Sequence, residues 1–185
     1  MQLYGSYTSP YVRHCRIALI ESGLDFEFVE TDATASARLS PAQRVPFMID
    51  GELQLSDSLA ILAHIRGLSG RPLYPSASVL NRLCLATTVL DTAINLFFMA
   101  RDGVDAGVVP YLQRQQARIT TALAELEQQP WTLEAPFDDA TLRLGVMIGW
   151  AQFRQRIDFS PYPRLQAVHQ ALLAYPPFAD TQPRT

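Results

Sequence analysis

Residues 2–30 constrain the fold more than any other stretch, because strand-like, helical and strand-like segments follow one another there. Ser9-Pro10 starts the helix, since serine suits the N-cap and proline suits the first helical position. Gly23 is a natural helix stop. Between them, apolar residues recur at helical spacing: Val12, Cys15, Leu19 and Ile20. A β-α-β unit of this kind predicts a parallel strand pair with a right-handed crossover.

Residues 41–58 predict a β-hairpin that leads into a further helix. Pro46 interrupts the first strand-like run and cannot donate a ladder hydrogen bond. Asp50-Gly51 is the strongest short hairpin signal in the chain. Asp57-Ser58 then gives a helix start, where side chains and backbone amides can hold a charged ligand. A proline that opens a strand leaves the backbone of the preceding residue free to pair with something other than the sheet.

The character of the chain changes near residue 69. Residues 69–76 are punctuated by glycine and proline and read as a linker. The sequence therefore predicts an α/β domain at residues 1–68 and an all-helical domain at residues 77–185. In the second domain helices are expected at 78–101, 108–129, 142–156 and 161–175.

Two of these helices carry specific expectations. The first should bury an apolar stripe, with the hydroxyl of Thr87 bonded back to the preceding turn. The third is apolar on most sides and should be the buried central helix, with Asp138 at its N-cap and Thr141 three residues on. The residues expected along the buried stripe of the first are Leu80, Leu83, Thr87, Leu90 and Ile94.

Composition narrows the class of protein. A formal net charge of −3 without a basic stripe argues against a nucleic-acid-binding surface. Cys15 and Cys84 are too few and too far apart for a disulfide framework, which favours a reducing compartment. The unbroken apolar runs, at 96–100 and 144–151, are shorter than the roughly 20 residues that span a bilayer. With no leader-like start, phosphate loop or metal-ligand spacing, we expect a soluble, cytoplasmic protein without a bound metal.

The first segment resembles thioredoxin-like proteins, which place a reactive residue at this helix start, often as Cys-Pro-aromatic. Here the motif is Ser9-Pro10-Tyr11, and no Cys-x-x-Cys is present. Serine at this place, together with the proline-opened strand, resembles the cytosolic glutathione transferases. These proteins activate a bound thiol by hydrogen bonding. The resemblance covers nearly the whole chain, is strongest over residues 1–66, and implies a thioredoxin-like domain (βαβ-α-ββα) followed by a helical one.

The resemblance assigns the thiol end of the site to the first helix. Ser9 would face the glutathione sulfur, and Tyr11 would lie on the adjacent helical turn. Thr8 and Tyr7 are the alternative hydroxyls. Counting back from the helix, the tyrosine of tyrosine-type transferases falls nearer Gly5, which disfavours Tyr7. A serine that only caps the helix remains the structural alternative.

The resemblance also assigns the peptide end of the site. Arg44 would meet the glycyl carboxylate of glutathione, and the Val45-Pro46 bond would be cis. Val45 would pair its backbone with the cysteinyl part, as in strand addition. Asp57 would hold the γ-glutamyl ammonium and Ser58 the γ-glutamyl carboxylate.

Other conspicuous residues have plainer interpretations. His14 is expected to be solvated or to cap the helix rather than act as a base. Cys15 falls at the apolar spacing of its helix and is expected to be buried. Phe97-Phe98 and Met99 are expected in the core, with contact to a substrate as the alternative.

The sequence thus indicates a glutathione transferase that transfers the thiolate of glutathione to a small hydrophobic electrophile. The resemblance also implies a twofold homodimer, with glutathione as co-substrate and without a metal. Two alternatives remain open. One is a transferase-like regulator that binds proteins, of the stringent-starvation type. The other is a glutathione-dependent thiol reductase or peroxidase, against which Ser9 argues because the reductase chemistry would favour a cysteine there.

Overall fold

The computed structural model describes residues 1–184 and divides into two compact units. Unit 1 comprises Met1–Leu73 together with the described residues from Leu173 onward, and unit 2 comprises Tyr74–Leu172. The sequence had placed all of residues 77–185 in one helical domain. The structure instead groups the C-terminal segment with the α/β unit.

Unit 1 contains a four-stranded mixed sheet with the order β2-β1-β3-β4. β1 and β2 are parallel, whereas β1–β3 and β3–β4 are antiparallel, so the expected β-α-β unit and hairpin are confirmed. The elements are β1 Gln2–Gly5, α1 Pro10–Ser22, β2 Glu27–Glu30, α2 Ala33–Leu39, β3 Phe47–Asp50, β4 Leu53–Leu55 and α3 Ser58–Leu68.

Local chemistry explains the bounds of α1. The Ser9 side chain accepts a hydrogen bond from the Val12 N–H, and Pro10 is the first helical residue. At the other end Gly23 adopts φ +60°, the left-handed conformation that favours glycine, and its N–H bonds back to Ile20. Ile20 itself is 42% exposed, so it lies off the buried face that its spacing suggested.

The core of unit 1 lies between the sheet and helices α1 and α3. Its members are all apolar and without solvent exposure: Leu3, Val12, Cys15, Ala18, Leu19, Met48, Ile61, Leu62 and Ile65. These side chains hold the N-terminal ends of α1 and α3 in fixed positions, because both helices pack on the same cluster.

The loop of the β3–β4 hairpin lies one residue later than Asp50-Gly51, the pair that the sequence indicated as the turn. Asp50 pairs with Leu53, so the two loop residues are Gly51 and Glu52. Gly51 has φ +61° at the first loop position, which is the pattern of a type II′ turn. The glycine was therefore the informative residue, and Asp50 belongs to the strand.

Unit 2 is helical, and its most buried member is the third helix. As expected, α6 is buried around most of its circumference. The fourth expected helix is shorter than predicted and is followed by a separate turn of helix in the C-terminal segment. The helices are α4 Ala77–Arg101, α5 Pro110–Gln128, α6 Asp139–Phe153, α7 Pro163–Leu173 and α8 Pro176–Ala179.

Helix α4 corrects two expectations. Leu80 and Ile94 are only partly buried, and the Thr87 hydroxyl is buried without a hydrogen-bond partner among residues 1–184. Thr88 and Thr92 make the back-bonds to the preceding turn instead. Helix α4 packs against α5 and α6, and this packing determines which of its residues are buried. The buried residues are Val79, Leu83, Ala86, Val89, Leu90, Thr92 and Ala93.

Helix α4 also differs from an expectation drawn from the sequence, namely that the unbroken apolar runs are too short to span a bilayer. By length and composition its 25 residues would be enough to cross a bilayer. Isolated polar residues such as Asn95 break the unbroken apolar runs without making the helix polar. A core helix of a soluble protein passes the same test, and α4 packs against α5 and α6 within unit 2.

The N-terminus of α6 is organised by Asp138, as expected. Its Oδ1 accepts the Thr141 N–H and the Thr141 hydroxyl, each at 2.7 Å, and its Oδ2 accepts from Arg82 at 3.1 Å. In the usual capping box the third side chain reaches back to the N-cap amide. Here both Thr141 donors converge on one carboxylate.

We expect Asp138→Ala to lower the free energy of unfolding by about 1 kcal/mol, the usual cost of losing an N-cap. Asp138→Asn is the control, because asparagine also caps well and keeps the size of the side chain. Urea denaturation should place Asp138→Asn near the parent protein. Equal losses in both variants would show that the charge on Asp138, rather than the cap, carries the stability.

Candidate active site

The turn before α1 presents the Ser9 hydroxyl. The Ser9 N–H donates to the Ser6 carbonyl at 3.1 Å and closes the turn, and Ser9 Oγ accepts the Val12 N–H at 3.4 Å. Among residues 1–184 no acceptor takes the Ser9 hydroxyl proton. Ser9 is partly exposed, so this proton is available to an anion at the positive end of α1.

The alternative hydroxyls are placed differently. Thr8 Oγ1 lies 3.0 Å from Ser6 Oγ, so the two side chains share a hydrogen bond. The Tyr7 ring packs against Phe28, with the centroids 4.7 Å apart. A side chain at Gly5 has no room, since its Cβ would lie 2.4 Å from a methyl carbon of Val12.

Val45 lies two residues before the sheet ladder. The Val45-Pro46 bond is cis, as the resemblance implied. Phe47 is the first residue of β3 and pairs with Tyr4, so Val45 stands outside the ladder. Within the described part of the chain no backbone hydrogen bond engages the amide or carbonyl of Val45. Both groups are thus available to an extended ligand.

Asp57 and Arg44 form an ion pair at the start of α3. Asp57 Oδ1 accepts the Leu59 N–H at 2.8 Å, and Asp57 Oδ2 lies 3.0 Å from Arg44 Nη2. Their side chains are 49% and 64% exposed respectively. An exposed pair of this kind is worth only about 0–1 kcal/mol, so either partner can exchange it for a ligand charge. Ser58 is buried beside α1, where its carbonyl accepts the Cys15 thiol at 3.9 Å.

The burial of other conspicuous residues corrects two of the expectations from the sequence and confirms a third. His14 is completely buried, so the solvated or capping role is wrong; the helix turns its ring into the interior. Cys15 is buried, as expected. Phe98 and Met99 are 44% and 45% exposed and do not belong to the core, because they lie near the exposed end of α4.

The C-terminal segment contacts α1 through features that the sequence did not reveal. Arg13, next to Val12 on α1, is buried; its Nη2 donates to the Phe178 carbonyl at 2.9 Å and its guanidinium lies 3.8 Å from the Phe178 ring. The Tyr175 hydroxyl donates to Glu21 at 2.8 Å, and the same carboxylate accepts from Arg66 at 2.5 Å. Arg13 and Phe178 are 165 residues apart in sequence, so the periodicity of the sequence could not predict their contact.

Burial, followed by the contact with Glu21, raises the pKa of Tyr175 from 10 to about 12. The neutral phenol is therefore favoured by folding. Its contribution to stability is complete below pH 10 and is lost as the pH rises through about 12. We expect the parent protein to lose stability relative to Tyr175→Phe across this window, measured by urea denaturation at pH 9 and pH 11.5. A constant difference at both pH values would contradict the assignment.

Comparison with known proteins identifies the class. Residues 3–72 match the family model described as the glutathione S-transferase N-terminal domain. A zeta-class glutathione S-transferase of Euphorbia esula is 27% identical, with 99% of this chain and 90% of the relative covered. The GST-like protein YibF of Escherichia coli K12 is 29% identical, with 99% and 98% covered. A solved glutathione S-transferase of Methylobacterium radiotolerans, in complex with glutathione sulfonate, has a TM-score of 0.85 at 26% identity and covers 100% of this chain and 95% of its own.

The sheet order, the following helices and these similarities define a thioredoxin-like domain joined to a helical one. Residues 3–72 match the N-terminal domain of the glutathione S-transferase family, and over its full length the chain is similar to glutathione S-transferases. Over residues 1–184 no cluster of three or more histidine, cysteine or acidic side chains could hold a metal ion.

Proposed function

We propose that this protein is a glutathione transferase that binds glutathione, stabilises its thiolate at Ser9 and transfers the sulfur to a small electrophile. The observation that carries the proposal is the Ser9 hydroxyl proton, which lies at the start of α1 and finds no acceptor among residues 1–184. The relative from Methylobacterium radiotolerans supports it, because that protein was solved with glutathione sulfonate bound.

The chemistry needs an anionic sulfur. A free thiol has a pKa of about 8.5 and is mostly protonated at neutral pH. A hydroxyl donor and a helix N-terminus lower the pKa of a thiol by roughly one unit or more. The thiol proton leaves to solvent, the thiolate forms a carbon–sulfur bond, and the leaving group departs with the bonding electrons. The protein supplies orientation and electrostatic stabilisation, without a metal.

The peptide part of glutathione would run from α3 toward α1. Asp57 takes the γ-glutamyl ammonium and Ser58 the γ-glutamyl carboxylate, at the N-terminus of α3. Val45 pairs its backbone amide and carbonyl with the cysteinyl residue, as an added strand would. Tyr11, on the first turn of α1, flanks the thiol.

Arg44 is proposed to bind the glycyl carboxylate, although it pairs with Asp57 in the unliganded protein. Three extended residues span about 10 Å, so one guanidinium cannot serve the glycyl carboxylate while remaining 3.0 Å from Asp57. Arg44 must therefore leave Asp57 when glutathione binds. The weakness of the exposed pair makes this exchange inexpensive.

We expect Arg44→Gln to weaken the binding of glutathione about tenfold while changing the binding of glutathione monoethyl ester much less. The ester lacks the glycyl charge. A change in its affinity therefore reflects only the loss of the ion pair between Arg44 and Asp57. The free-energy scale is about 1.5 kcal/mol, the lower end for hydrogen bonds to charged groups. Calorimetric titration of both ligands measures the difference. Equal losses would show that Arg44 acts by holding Asp57 and not by contacting glycine.

We also propose that the protein is a cytoplasmic homodimer with twofold symmetry. In this arrangement α3 packs against the helical domain of the partner subunit. Light scattering should give twice the chain mass, and a monomer at micromolar concentration would refute the assembly.

The direct test of the proposed function is calorimetry with glutathione, followed by a conjugation assay with 1-chloro-2,4-dinitrobenzene. We expect a dissociation constant between micromolar and millimolar and turnover above the uncatalysed rate. Binding without turnover of any electrophile would favour the regulator, and no binding would contradict the proposal.

A further inference from the structure

Two arginines converge on one aromatic ring beside the turn that presents Ser9. The Arg184 guanidinium lies 3.9 Å from the centroid of the Tyr7 ring, and the Arg16 guanidinium lies 4.9 Å from it. Arg16 also lies 5.2 Å from the Phe28 ring, which forms the base of the cluster. Tyr7 is two residues before Ser9, inside the turn that the Ser9 N–H closes.

Within the part of the chain that the structure describes, no acidic side chain neutralises either guanidinium. Among residues 1–184 neither Arg16 nor Arg184 has an ion-pair partner or a side-chain hydrogen bond. Burial lowers the pKa of Arg16, and the charge of Arg184 lowers it further while Tyr7 raises it. Two like charges that face one ring without a counter-charge gain most from an added anion.

The position of Arg184 is set by the C-terminal segment. The buried Arg13 holds Phe178 and Thr181, and Glu21 holds Tyr175. These contacts fix the segment on α1 of the same unit. Arg184 follows three residues after Thr181 and is partnered by Tyr7.

We propose that Arg16 and Arg184 form a subsite for a carboxylate carried by the electrophile. The inference rests on the proposed function and adds the substrate class: an anionic electrophile rather than a purely hydrophobic one. Guanidinium groups bind carboxylates through paired, charge-assisted hydrogen bonds. The Phe28 and Tyr7 rings supply the apolar surface for the rest of a small molecule.

The charged ends of glutathione are assigned elsewhere in unit 1. Arg44, Asp57 and Ser58 lie before β3 or at the start of α3, whereas Arg16 is on α1 and Arg184 in the C-terminal segment. The arginine pair is connected to the thiol position only through Tyr7 and the turn at Ser9. An anion bound there would belong to the second substrate.

The test uses an anionic electrophile, 4-chloro-3-nitrobenzoate, and its neutral methyl ester, whose different intrinsic reactivities cancel when protein variants are compared. The measured quantity is the ratio of kcat/KM for the acid to kcat/KM for the ester. We expect Arg184→Gln to lower this ratio about tenfold and Arg184→Lys to restore part of it, because lysine keeps the charge without the fork geometry. Arg16→Gln should act in the same direction, with thermal unfolding used to verify its fold.

Arg114→Gln is the matched control. Arg114 is also an exposed arginine above a tyrosine, 5.7 Å from the Tyr111 ring, but it lies on α5 in unit 2. Its substitution makes the same change in net charge and should leave the ratio within twofold. An equal fall in Arg114→Gln would attribute the effect to overall charge and overturn the proposal.

Reversible binding separates failure of the subsite from failure of the proposed function. Fluorine NMR titrations compare 4-(trifluoromethyl)benzoate with the neutral 4-(trifluoromethyl)benzamide and need no turnover. We expect the parent protein to prefer the acid and Arg184→Gln to lose that preference. If both probes weaken equally, Arg184 only anchors the C-terminal segment; if glutathione affinity falls instead, the arginines bind glutathione. Either result overturns the subsite, whereas preserved acid preference without any conjugation contradicts only the transferase.

Discussion

Replacing Asp57 by alanine is expected to weaken glutathione binding by about 1.5–3 kcal/mol, the range for hydrogen bonds to charged groups. This is a roughly 10- to 150-fold rise in the dissociation constant. The variant removes the carboxylate that would meet the γ-glutamyl ammonium, and it also removes the cap on the Leu59 N–H. Calorimetry at constant ionic strength measures the effect.

Asp57→Asn separates these two losses. Asparagine caps a helix as well as aspartate does, so the N-terminus of α3 should remain formed. It carries no charge for the ammonium or for Arg44. We therefore expect Asp57→Asn to bind glutathione almost as weakly as Asp57→Ala while unfolding at nearly the parent urea concentration. Parent-like affinity in both variants would remove Asp57 from the site.

Ser9→Ala is expected to lower kcat for conjugation by roughly ten- to a hundredfold. Loss of one preorganised donor to an oxyanion costs about 2.7–4 kcal/mol, and a thiolate is more diffuse, so the effect should be smaller. Affinity for glutathione at low pH should change little, because the thiol is then protonated in both proteins. Stopped-flow and steady-state conjugation assays give kcat.

Thr8→Val and Tyr7→Phe are the controls for Ser9. Thr8 shares its hydroxyl with Ser6, and the Tyr7 ring packs on Phe28. Both substitutions remove a hydroxyl and nearly preserve shape. We expect kcat within about threefold of the parent for each, well below the effect of losing a preorganised donor. A larger fall in either than in Ser9→Ala would transfer the role to that residue.

The parts of the fold that depend on local chemistry were predictable from sequence. Ser9, Pro10 and Gly23 fix the ends of α1 through capping and backbone conformation, which are properties of a few neighbouring residues. With the ends of α1 known, the strand-like segments on either side of it gave the β-α-β order. The resemblance, rather than periodicity, supplied the cis bond before Pro46 and the candidate ligand contacts.

The predictions from sequence were wrong or incomplete where tertiary packing or a long-range contact determines the environment of a side chain. Thr87 was placed on the buried stripe with a back-bonded hydroxyl, but packing of α4 set the rotation of the helix and gave the back-bonds to Thr88 and Thr92. The burial of His14 also depends on tertiary packing. No local pattern could indicate that Tyr175 would meet Glu21 across 154 residues.

The most direct measurement is the pKa of the thiol of bound glutathione, obtained from its thiolate absorbance as a function of pH. We expect the parent protein to lower this pKa by about one unit or more below the free value of about 8.5, and Ser9→Ala to return it most of the way. An identical thiol pKa in the parent protein and in Ser9→Ala, with both saturated by glutathione, would contradict the claim that Ser9 stabilises the thiolate.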